Sequence, residues 1–426
     1  MSATTVPAHD NGVFELVRFF AGPLGYLDGL RDDERDVIPF SLGNLPVHLV
    51  TRPELIVQAL ENEDWPPLAR GRFANTRRWL TDALLLISGP EHHRQRDELW
   101  MPLLEDSPIP AIAVERTRAK ADSWIEGLPF DVYGELRTHI WEIDWQAWTG
   151  TDLASSPDLI HALELGVDAM GWLPLPFSGR RWDWSRGTRE AKTKLDDVIA
   201  MMIAERRASP REDMLTKAVK IADAEGSITT EEQVRGTFKG WFNADLQYTL
   251  LTWTLWLLAR NLDAEARFHS ELDDVLGDRP ATEADVPKLA YTTKLIHEAL
   301  RLRPPSWGFF RETTADYRLG DTVIPRGHML ALSPWFTHRD PRHWEEPERF
   351  DPERWESKPA AGAFFPFSAG PYQCHPRGLV MRESVLLLAT LGQRWSYRPA
   401  QEEPKPQAGW TLAPKGGARM KPVPRP

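Results

Sequence analysis

Cys374 is the only cysteine in the 426-residue chain, and it lies in the stretch FFPFSAGPYQCHPRG at residues 364–378. An apolar segment with helical spacing follows, so the thiol stands where we expect a helix to begin. Free amides and the helix dipole stabilise a thiolate there, and a thiolate is a soft metal ligand. A lone cysteine is also often a small buried hydrophobe, and this loop alone favours that interpretation.

Two other stretches carry titratable side chains at helical spacing. Glu298 and Arg301 lie three positions apart in the predicted helix at residues 289–303. His92 and Arg96 lie four positions apart in GPEHHRQR, so a helix there would place both on one face. Each pair taken alone is usually a solvated feature of a helix surface.

Four stretches resemble, in the correct order, the signature segments of the cytochrome P450 family. The family's cysteine loop has the pattern Phe-x-x-Gly-x-x-x-Cys-x-Gly, and Phe367, Gly370 and Cys374 match it. The other three stretches resemble its Gly-x-x-His-x-x-x-Arg helix, its Glu-x-x-Arg helix and the segment between that helix and the cysteine loop. They are residues 89–96, 298–301 and 339–355. Four signals in order over most of the chain make the resemblance specific.

The resemblance implies that the cofactor is haem b, iron protoporphyrin IX, with Cys374 as the axial thiolate of its iron. Such a thiolate favours O–O bond cleavage. His92, Arg96 and Arg311 occupy positions of propionate partners in the family. Tyr372 stands where the family often has His or Arg, and its phenol can still donate a hydrogen bond. The residues thereby assigned to the cofactor are His92, Arg96, Arg311, Phe367, Gly370, Tyr372 and Cys374.

The same resemblance implies a mainly α fold with small β-sheets, the cytochrome P450 fold, as a single domain over residues 1–426. The haem would lie between a long predicted helix at 229–261 and the cysteine loop at 364–378. The family's buried ionic triad would consist here of Glu298, Arg301 and Arg354.

Hydrophobic spacing predicts the main elements without reference to a family. Helical patterns cover residues 110–127 and 188–208, and 316–333 has the alternation and turn residues of a hairpin. The longest candidate helix, 229–261, has Thr229 or Thr230 available as its cap.

Pro376 departs from the family pattern, because a glycine is usual two positions after the cysteine. Proline has no backbone N–H, and in the family this amide is one of those that point at the sulfur. Its loss is expected to leave the sulfur more electron-rich. Proline also suits the first turn of a helix.

The long predicted helix at 229–261 also departs from the family pattern. Aligning residues 251–259 without gaps places Asp245 at the family's proton-relaying acid. Leu246 then falls where a threonine hydroxyl steadies the bound oxygen, and Asn243 replaces a helix-kinking glycine. Thr249, one turn further on, is the remaining candidate for the missing alcohol. We therefore expect Asp245 to be catalytic and the usual alcohol to be absent.

The chain contains 19 tryptophans. Core packing accounts for at least half of them, while the rest could form a broad pocket that stacks on an aromatic or polycyclic ligand. By resemblance, the predicted substrate pocket consists of Trp241, Phe242, Leu246, Trp307 and Phe309. Further aromatic residues expected near it are Trp65, Phe73, Trp79, Trp172, Phe310 and Trp410.

The composition of the chain indicates which binding partners and which cellular compartment to expect. The formal net charge of −11 argues against nucleic acid as a partner. A single cysteine forms no intramolecular disulfide. We see neither a signal peptide nor an apolar segment long enough to anchor the chain in a membrane. We expect a cytoplasmic protein.

The leading hypothesis is a monooxygenase-type haem-thiolate enzyme that oxidises a hydrophobic or aromatic small molecule, as in natural-product biosynthesis. It would use O2 and electrons from a ferredoxin and its reductase, since the chain has no flavin or nicotinamide domain. One alternative is oxidative coupling of aromatic substrates, including small peptides, without oxygen insertion. Another is a non-catalytic haem-binding or sensor protein. A haem-free terpene cyclase is a distant further alternative, because the LDDV stretches at 195–198 and 272–275 lack the additional carboxylates that bind Mg²⁺.

Overall fold

The structure, a computed structural model, describes residues 12–66, 74–170, 186–244 and 246–425. Helices dominate it, which confirms the predicted mainly α class. They are α1 Gly12–Ala21, α2 Pro23–Asp28, α3 Pro53–Leu60, α4 Ala74–Leu80, α5 Gly89–Gln95, α6 Met101–Glu105, α7 Ile109–Ser123, α8 Val132–Thr149, α9 Pro157–Met170, α10 Arg186–Ala208, α11 Met214–Ala222, α12 Glu231–Ala244, α13 Gln247–Ala259, α14 Leu262–Val275, α15 Ala290–Leu302, α16 Pro334–Thr337 and α17 Arg377–Arg394. Short 3₁₀ helices cover Leu84–Leu86, Leu153–Ser155, Glu283–Lys288, Pro352–Glu356 and Gly370–Tyr372, and a π-helical turn at Arg96–Trp100 joins α5 to α6.

The strands form four small sheets within the described residues. They are β1 Val37–Leu42, β2 Leu45–Val50, β3 Phe130–Asp131, β4 Phe309–Glu312, β5 Tyr317–Leu319, β6 Thr322–Ile324, β7 Met329–Leu332, β8 Ser396–Pro399, β9 Pro406–Ala408, β10 Leu412–Pro414 and β11 Arg419–Val423. The largest sheet has the order β1-β2-β7-β4, and only its β2–β7 pair is parallel, with Val47 opposite Met329. The predicted hairpin at 316–333 supplies β5 and β6, while its last strand joins the larger sheet.

Helix α13 lies at the centre of the fold. Every one of its residues is buried, as expected for a helix that is apolar on all sides. Among the described residues, no helix combines the length and apolar character needed to cross a membrane.

The prediction of one continuous helix over 229–261 is wrong at its middle. Helix α12 ends at Ala244, and α13 begins at Gln247 after Leu246, whose φ of −106° and ψ of 12° are not helical. The start is as expected, because the Thr230 hydroxyl accepts from the Gln233 amide, and the Gln233 side chain accepts from the Thr230 amide.

Two tryptophans from other parts of the chain hold the break. The indole N–H of Trp141 donates to the Phe242 carbonyl at 2.9 Å, and that of Trp410 donates to the Asn243 carbonyl at 2.7 Å. In a continuous helix those carbonyls would accept from amides four residues further on. The indoles fill that role, so the backbone can end α12 without leaving buried carbonyl groups unsatisfied.

A buried ion pair joins α15 to the segment that leads to the cysteine loop. Glu298 and Arg301 are fully buried and bonded through both carboxylate oxygens, at 2.8 and 2.9 Å. The remaining Arg301 N–H groups donate to the carbonyls of His338, Pro347 and Arg349. Other donors also bind the carboxylate of Glu298. They are the Arg354 guanidinium, the Trp355 indole and the Asp351 amide.

We predict that Glu298→Ala lowers the free energy of unfolding by about 3–5 kcal/mol, because it leaves the Arg301 charge buried without its partner. The measurement is denaturant unfolding of the purified holoprotein. Arg349→Ala is the control, because it breaks only the exposed pair with Glu346 and should cost less than about 1 kcal/mol. Equal losses for the two variants would contradict the structural importance of the buried pair.

A second prediction concerns the helix break. Trp141 and Trp148 are both fully buried on α8, but among the described residues only Trp141 has a hydrogen-bond partner for its indole nitrogen. Replacing either by Phe removes similar volume. Trp141→Phe should therefore cost about 1–3 kcal/mol more than Trp148→Phe, since it also leaves the Phe242 carbonyl unsatisfied. Unfolding curves for the two variants measure this difference. If both are destabilised alike, the indole does not cap the break.

Candidate functional site

A cavity of about 510 Å³ lies between the helix break and the cysteine loop. Trp241, Leu246 and Gln247 belong to its wall on the break side, and Phe367 and Cys374 belong to its wall on the loop side. The structure therefore places the cysteine and the broken helix on one shared cavity.

Most of the remaining wall is apolar or aromatic. The aromatic side chains there are those of Trp65, Trp307, Phe309, Phe310 and Trp410. The aliphatic ones include Leu84, Leu85, Ile87, Leu250 and Leu300. Such a surface binds an apolar molecule by excluding water, and a few polar groups would orient it.

Two aromatic residues expected at the pocket do not line the cavity. Phe242 is fully buried and packs against Trp145 and Phe238, with ring centroids 5.6 and 5.1 Å away. Its assignment to the substrate pocket is corrected, because α12 turns this ring toward α8. Trp79 is also fully buried, and its indole donates to the Asn243 side chain. Phe73, Trp172 and Asp245 lie outside the described residues.

The cysteine loop is held by hydrogen bonds from its own backbone. The Cys374 amide donates to the Phe367 carbonyl at 2.9 Å, and the Arg377 amide donates to the Cys374 carbonyl at 3.2 Å. Helix α17 begins at Arg377, so the expectation that it starts at the cysteine is wrong by one turn. The reason is Pro376, which occupies the cap position and disfavours a helical conformation at His375.

Gly370 and Tyr372 fix the loop against neighbouring segments. Gly370 has a φ of +66°, and a Cβ there would lie 2.4 Å from the Leu60 carbonyl oxygen, so no larger residue fits. The Tyr372 hydroxyl donates to the Glu63 carbonyl and accepts from the Gly89 amide. The hydroxyl hydrogen of Tyr372 is therefore donated to the protein backbone. The sequence instead leads us to expect a hydrogen bond from it to the cofactor.

A group of basic side chains faces one end of the cavity. His92 and His375 line it, and burial, with a smaller effect of neighbouring cations, lowers the pKa of each imidazole to about 4. Arg311 also lines it, and burial lowers the pKa of this guanidinium to about 10. Among the described residues, Arg311 donates to the Phe310 carbonyl and forms no ion pair with a carboxylate.

This end of the cavity fits an anionic group. Arg311 is half-buried, and a guanidinium withdrawn from water without a carboxylate partner is unfavourable unless a bound anion offsets its charge. His92 adds a buried Nδ1 that has no hydrogen-bond partner within the described part of the chain. The two carboxylates of haem match this environment, and the thiol on the adjacent wall matches its iron.

Arg96 is not part of the cavity wall. Its guanidinium donates to the Pro371 carbonyl at 2.8 Å and pairs with Asp97 at 2.7 Å. The side chain therefore ties α5 to the backbone of the cysteine loop and does not line the cavity in which the cofactor is expected.

Thr249 does not replace the missing alcohol at Leu246. It is fully buried and absent from the cavity wall, its hydroxyl accepts from Thr411 at 3.1 Å, and it is also hydrogen-bonded to Tyr133. Leu246 itself lines the cavity. The described residues thus leave an aliphatic side chain at the position where the family carries a hydroxyl.

Sequence reasoning missed several polar residues of the cavity. Besides His375, they include Asp144 on α8, Gln247 at the start of α13, Glu312 on β4 and Glu383 on α17. Asp144 and Glu383 are buried, at 2% and 3% exposure. A charged residue inside an apolar helical segment was the available signal, as in HIWEIDWQAW and MRESVLLLAT.

Comparisons with known proteins agree with this geometry. The family model of Cytochrome P450 matches residues 169–421, more than half of the chain. Cyclooctatin synthase of Streptomyces melanosporofaciens is 32% identical, over 95% of this chain and 92% of that protein. Cyclooctat-9-en-7-ol 5-monooxygenase of the same organism is 31% identical, over 88% and 85%. Pentalenene oxygenase of Streptomyces avermitilis is 27% identical, over 88% and 86%.

The fold has solved counterparts. The crystal structure of the cytochrome P450DA heme domain superposes with a TM-score of 0.86 and 19% identity, covering 100% of this chain and 99% of that one. The fold matches that of a haem-thiolate domain, and Cys374 lies on the wall of its cavity. The chain belongs to the cytochrome P450 family. It is an oxidoreductase that carries haem b and acts with O2 and external electron donors. A haem-free cyclase and a non-catalytic haem protein are therefore not its function.

Proposed function

We propose that this enzyme inserts an oxygen atom into a polycyclic, terpene-like hydrocarbon or alcohol during natural-product biosynthesis. The observation that carries the proposal is the wall of the cavity, which is apolar and aromatic next to Cys374. The names of three relatives, for cyclooctatin, a cyclooctatenol and pentalenene, support the same substrate class.

Each part of the cavity has a role in this proposal. Cys374 holds the iron as a thiolate, while His92 and Arg311 hold the haem carboxylates. When bound, haem with a thiolate ligand supplies the activation of O2. Trp241, Trp307 and Phe309, with the neighbouring apolar side chains, exclude water and orient the substrate. The predicted proton relay at Asp245 stays part of the proposal.

Further proposals concern the surroundings of the enzyme. We propose that residues 1–426 form one domain, that a ferredoxin and a ferredoxin reductase deliver the electrons, and that the enzyme works in the cytoplasm. These rest on the resemblance of the chain to bacterial members of the family.

Oxidative coupling of aromatic substrates is the second candidate. It is favoured by Leu246, which cannot donate a hydrogen bond where a hydroxyl is usual, and by the aromatic residues on the cavity wall. Coupling proceeds through substrate radicals and needs no insertion of oxygen into the product, while the reduction of O2 still takes up protons.

For the ligand, we predict that Cys374→Ser abolishes the thiolate type of carbon-monoxide difference spectrum after reduction. Serine is a harder and much less acidic ligand than cysteine, so the electronic signature of the sulfur must disappear. Gln373→Ala is the control, because it changes the neighbouring side chain and keeps the thiol. An unchanged spectrum in the serine variant would show that Cys374 is not a ligand of the iron.

For the substrate, we predict that terpene hydrocarbons or alcohols displace water from the iron in a spectral binding screen and are converted to products one oxygen heavier. The measurement combines ligand titrations with mass spectrometry after turnover with a ferredoxin system. Phenols, indoles and small aromatic peptides form the comparison set. If only these bind, and their products are coupled rings without added oxygen, the second candidate replaces the first.

A further inference from the structure

Some tryptophans carry a buried indole N–H that has no hydrogen-bond partner among the described residues. They are Trp100, Trp124, Trp148, Trp241 and Trp256. Many other indoles of the chain are donors, including the two that hold the helix break. A buried N–H without an acceptor costs free energy. A group of such indoles in one place therefore needs an explanation other than hydrogen bonding.

Three of these indoles form a continuous stack. The ring centroids of Trp241 and Trp148 are 5.8 Å apart, and those of Trp148 and Trp100 are 6.1 Å apart, both within the usual range for aromatic rings in contact. Trp241 belongs to α12, Trp148 to the last turn of α8, and Trp100 to the π-helical turn after α5. Trp148 and Trp100 are only 0% and 1% exposed, so protein surrounds this part of the stack.

The stack leads away from the reaction cavity. Trp241 lines the cavity together with Cys374, whereas Trp148 and Trp100 do not. At the far end, Asp97 and Glu98 belong to the same turn as Trp100 and are exposed. Their negative charges favour a positive charge near Trp100 over one in the apolar middle of the stack. The three rings therefore connect the cavity with an acidic turn at the surface.

The chemistry of indole suits such a connection. An indole gives up one electron to a strong oxidant far more readily than an aliphatic or phenyl side chain does, and an electron passes quickly between rings in contact. An oxidised indole becomes a stronger acid at its nitrogen, which is a donor only. Trp241, Trp148 and Trp100 have no acceptor for that proton among the described residues. An electron can therefore leave each ring and return to it without the loss of a proton.

We propose that Trp241, Trp148 and Trp100 form an electron path that removes unused oxidising equivalents from the cavity. When O2 has been activated and no substrate reacts, the second oxygen atom leaves as water only after two electrons and two protons are added. Trp241 supplies the electrons one at a time, Trp148 reduces Trp241, and Trp100 reduces Trp148. A small enediol of the ascorbate type reduces Trp100 at the surface. It releases two electrons and two protons as it becomes a diketone, and solvent water carries the protons.

The first test uses the substrate-free ferric holoenzyme and a peroxy acid, which delivers the oxidising equivalent without a partner protein. Rapidly frozen wild type should show the electron paramagnetic resonance signal of a tryptophan radical, and peptide mass spectrometry should find added oxygen mainly at Trp100. Trp148→Phe interrupts the path, so the radical signal should fall several-fold and the added oxygen should shift to Trp241. Trp256→Phe is the matched control, because Trp256 is fully buried with an unpartnered N–H but lies outside the stack.

The second test measures protection of the cofactor. The same peroxy acid bleaches the haem, and the absorbance gives the half-life of the bleaching. Ascorbate in solution should lengthen this half-life several-fold in the wild type and in Trp256→Phe, because electrons reach the cavity through the stack. It should lengthen it much less in Trp148→Phe. Any direct reaction of ascorbate with the peroxy acid is the same for all three proteins, so the comparison isolates the path.

Several results would overturn the proposal. A Trp148→Phe variant with the radical yield, the sites of added oxygen and the ascorbate protection of the wild type shows that no electrons pass through Trp148. If that variant does not bind haem, Trp100→Phe decides, since Trp100 is not part of the cavity wall. It should move the added oxygen to Trp148 and Trp241 and remove the protection by ascorbate, and unchanged protection rejects the path. Neither test uses a substrate, so failure of the terpene assignment leaves them valid.

Discussion

The position of Cys374 depends on the buried guanidinium of Arg301. Two of its contacts are the oxygens of Glu298, and the others are carbonyls of the segment that leads to the cysteine loop. One of those carbonyls belongs to His338, whose Nε2 accepts from the Phe365 amide at 3.0 Å. Burial lowers the pKa of His338 to about 3, so its ring stays neutral and able to accept. A continuous set of hydrogen bonds therefore runs from α15 into the loop that carries the thiol.

The opposite wall of the cavity, at the break between α12 and α13, is held by hydrogen bonds from tryptophan indoles. Trp141 and Trp410 bind the carbonyls at the end of α12, and Asn243 is held by Trp79 and by the Leu163 carbonyl. A backbone interruption at the centre of a protein requires such partners, because each carbonyl left without one costs free energy. Several of the tryptophans thus serve as hydrogen-bond donors in the core, in addition to filling volume.

The sequence was informative where function depends on local spacing. The cysteine loop, the Glu298–Arg301 pair and the helices predicted at 188–208 and 289–303 follow from patterns within a few turns of chain. The break at Leu246 could not be predicted in this way, since it is set by indoles about 100 residues before it and about 160 residues after it. The same holds for Phe242, whose ring direction depends on α8, and for Tyr372, whose hydroxyl binds the backbone of Glu63 and Gly89.

The wall of the cavity carries polar groups of both signs. His92, His375 and Arg311 line it, and so do the carboxyl-bearing residues Asp144 on α8, Glu312 on β4 and Glu383 on α17. Arg311 would attract an anionic cofactor edge and the carboxylates would repel it, so the haem carboxylates would be held by Arg311 and His92. The apolar side chains of the wall give the cavity a volume in which an apolar molecule can lie beside Cys374.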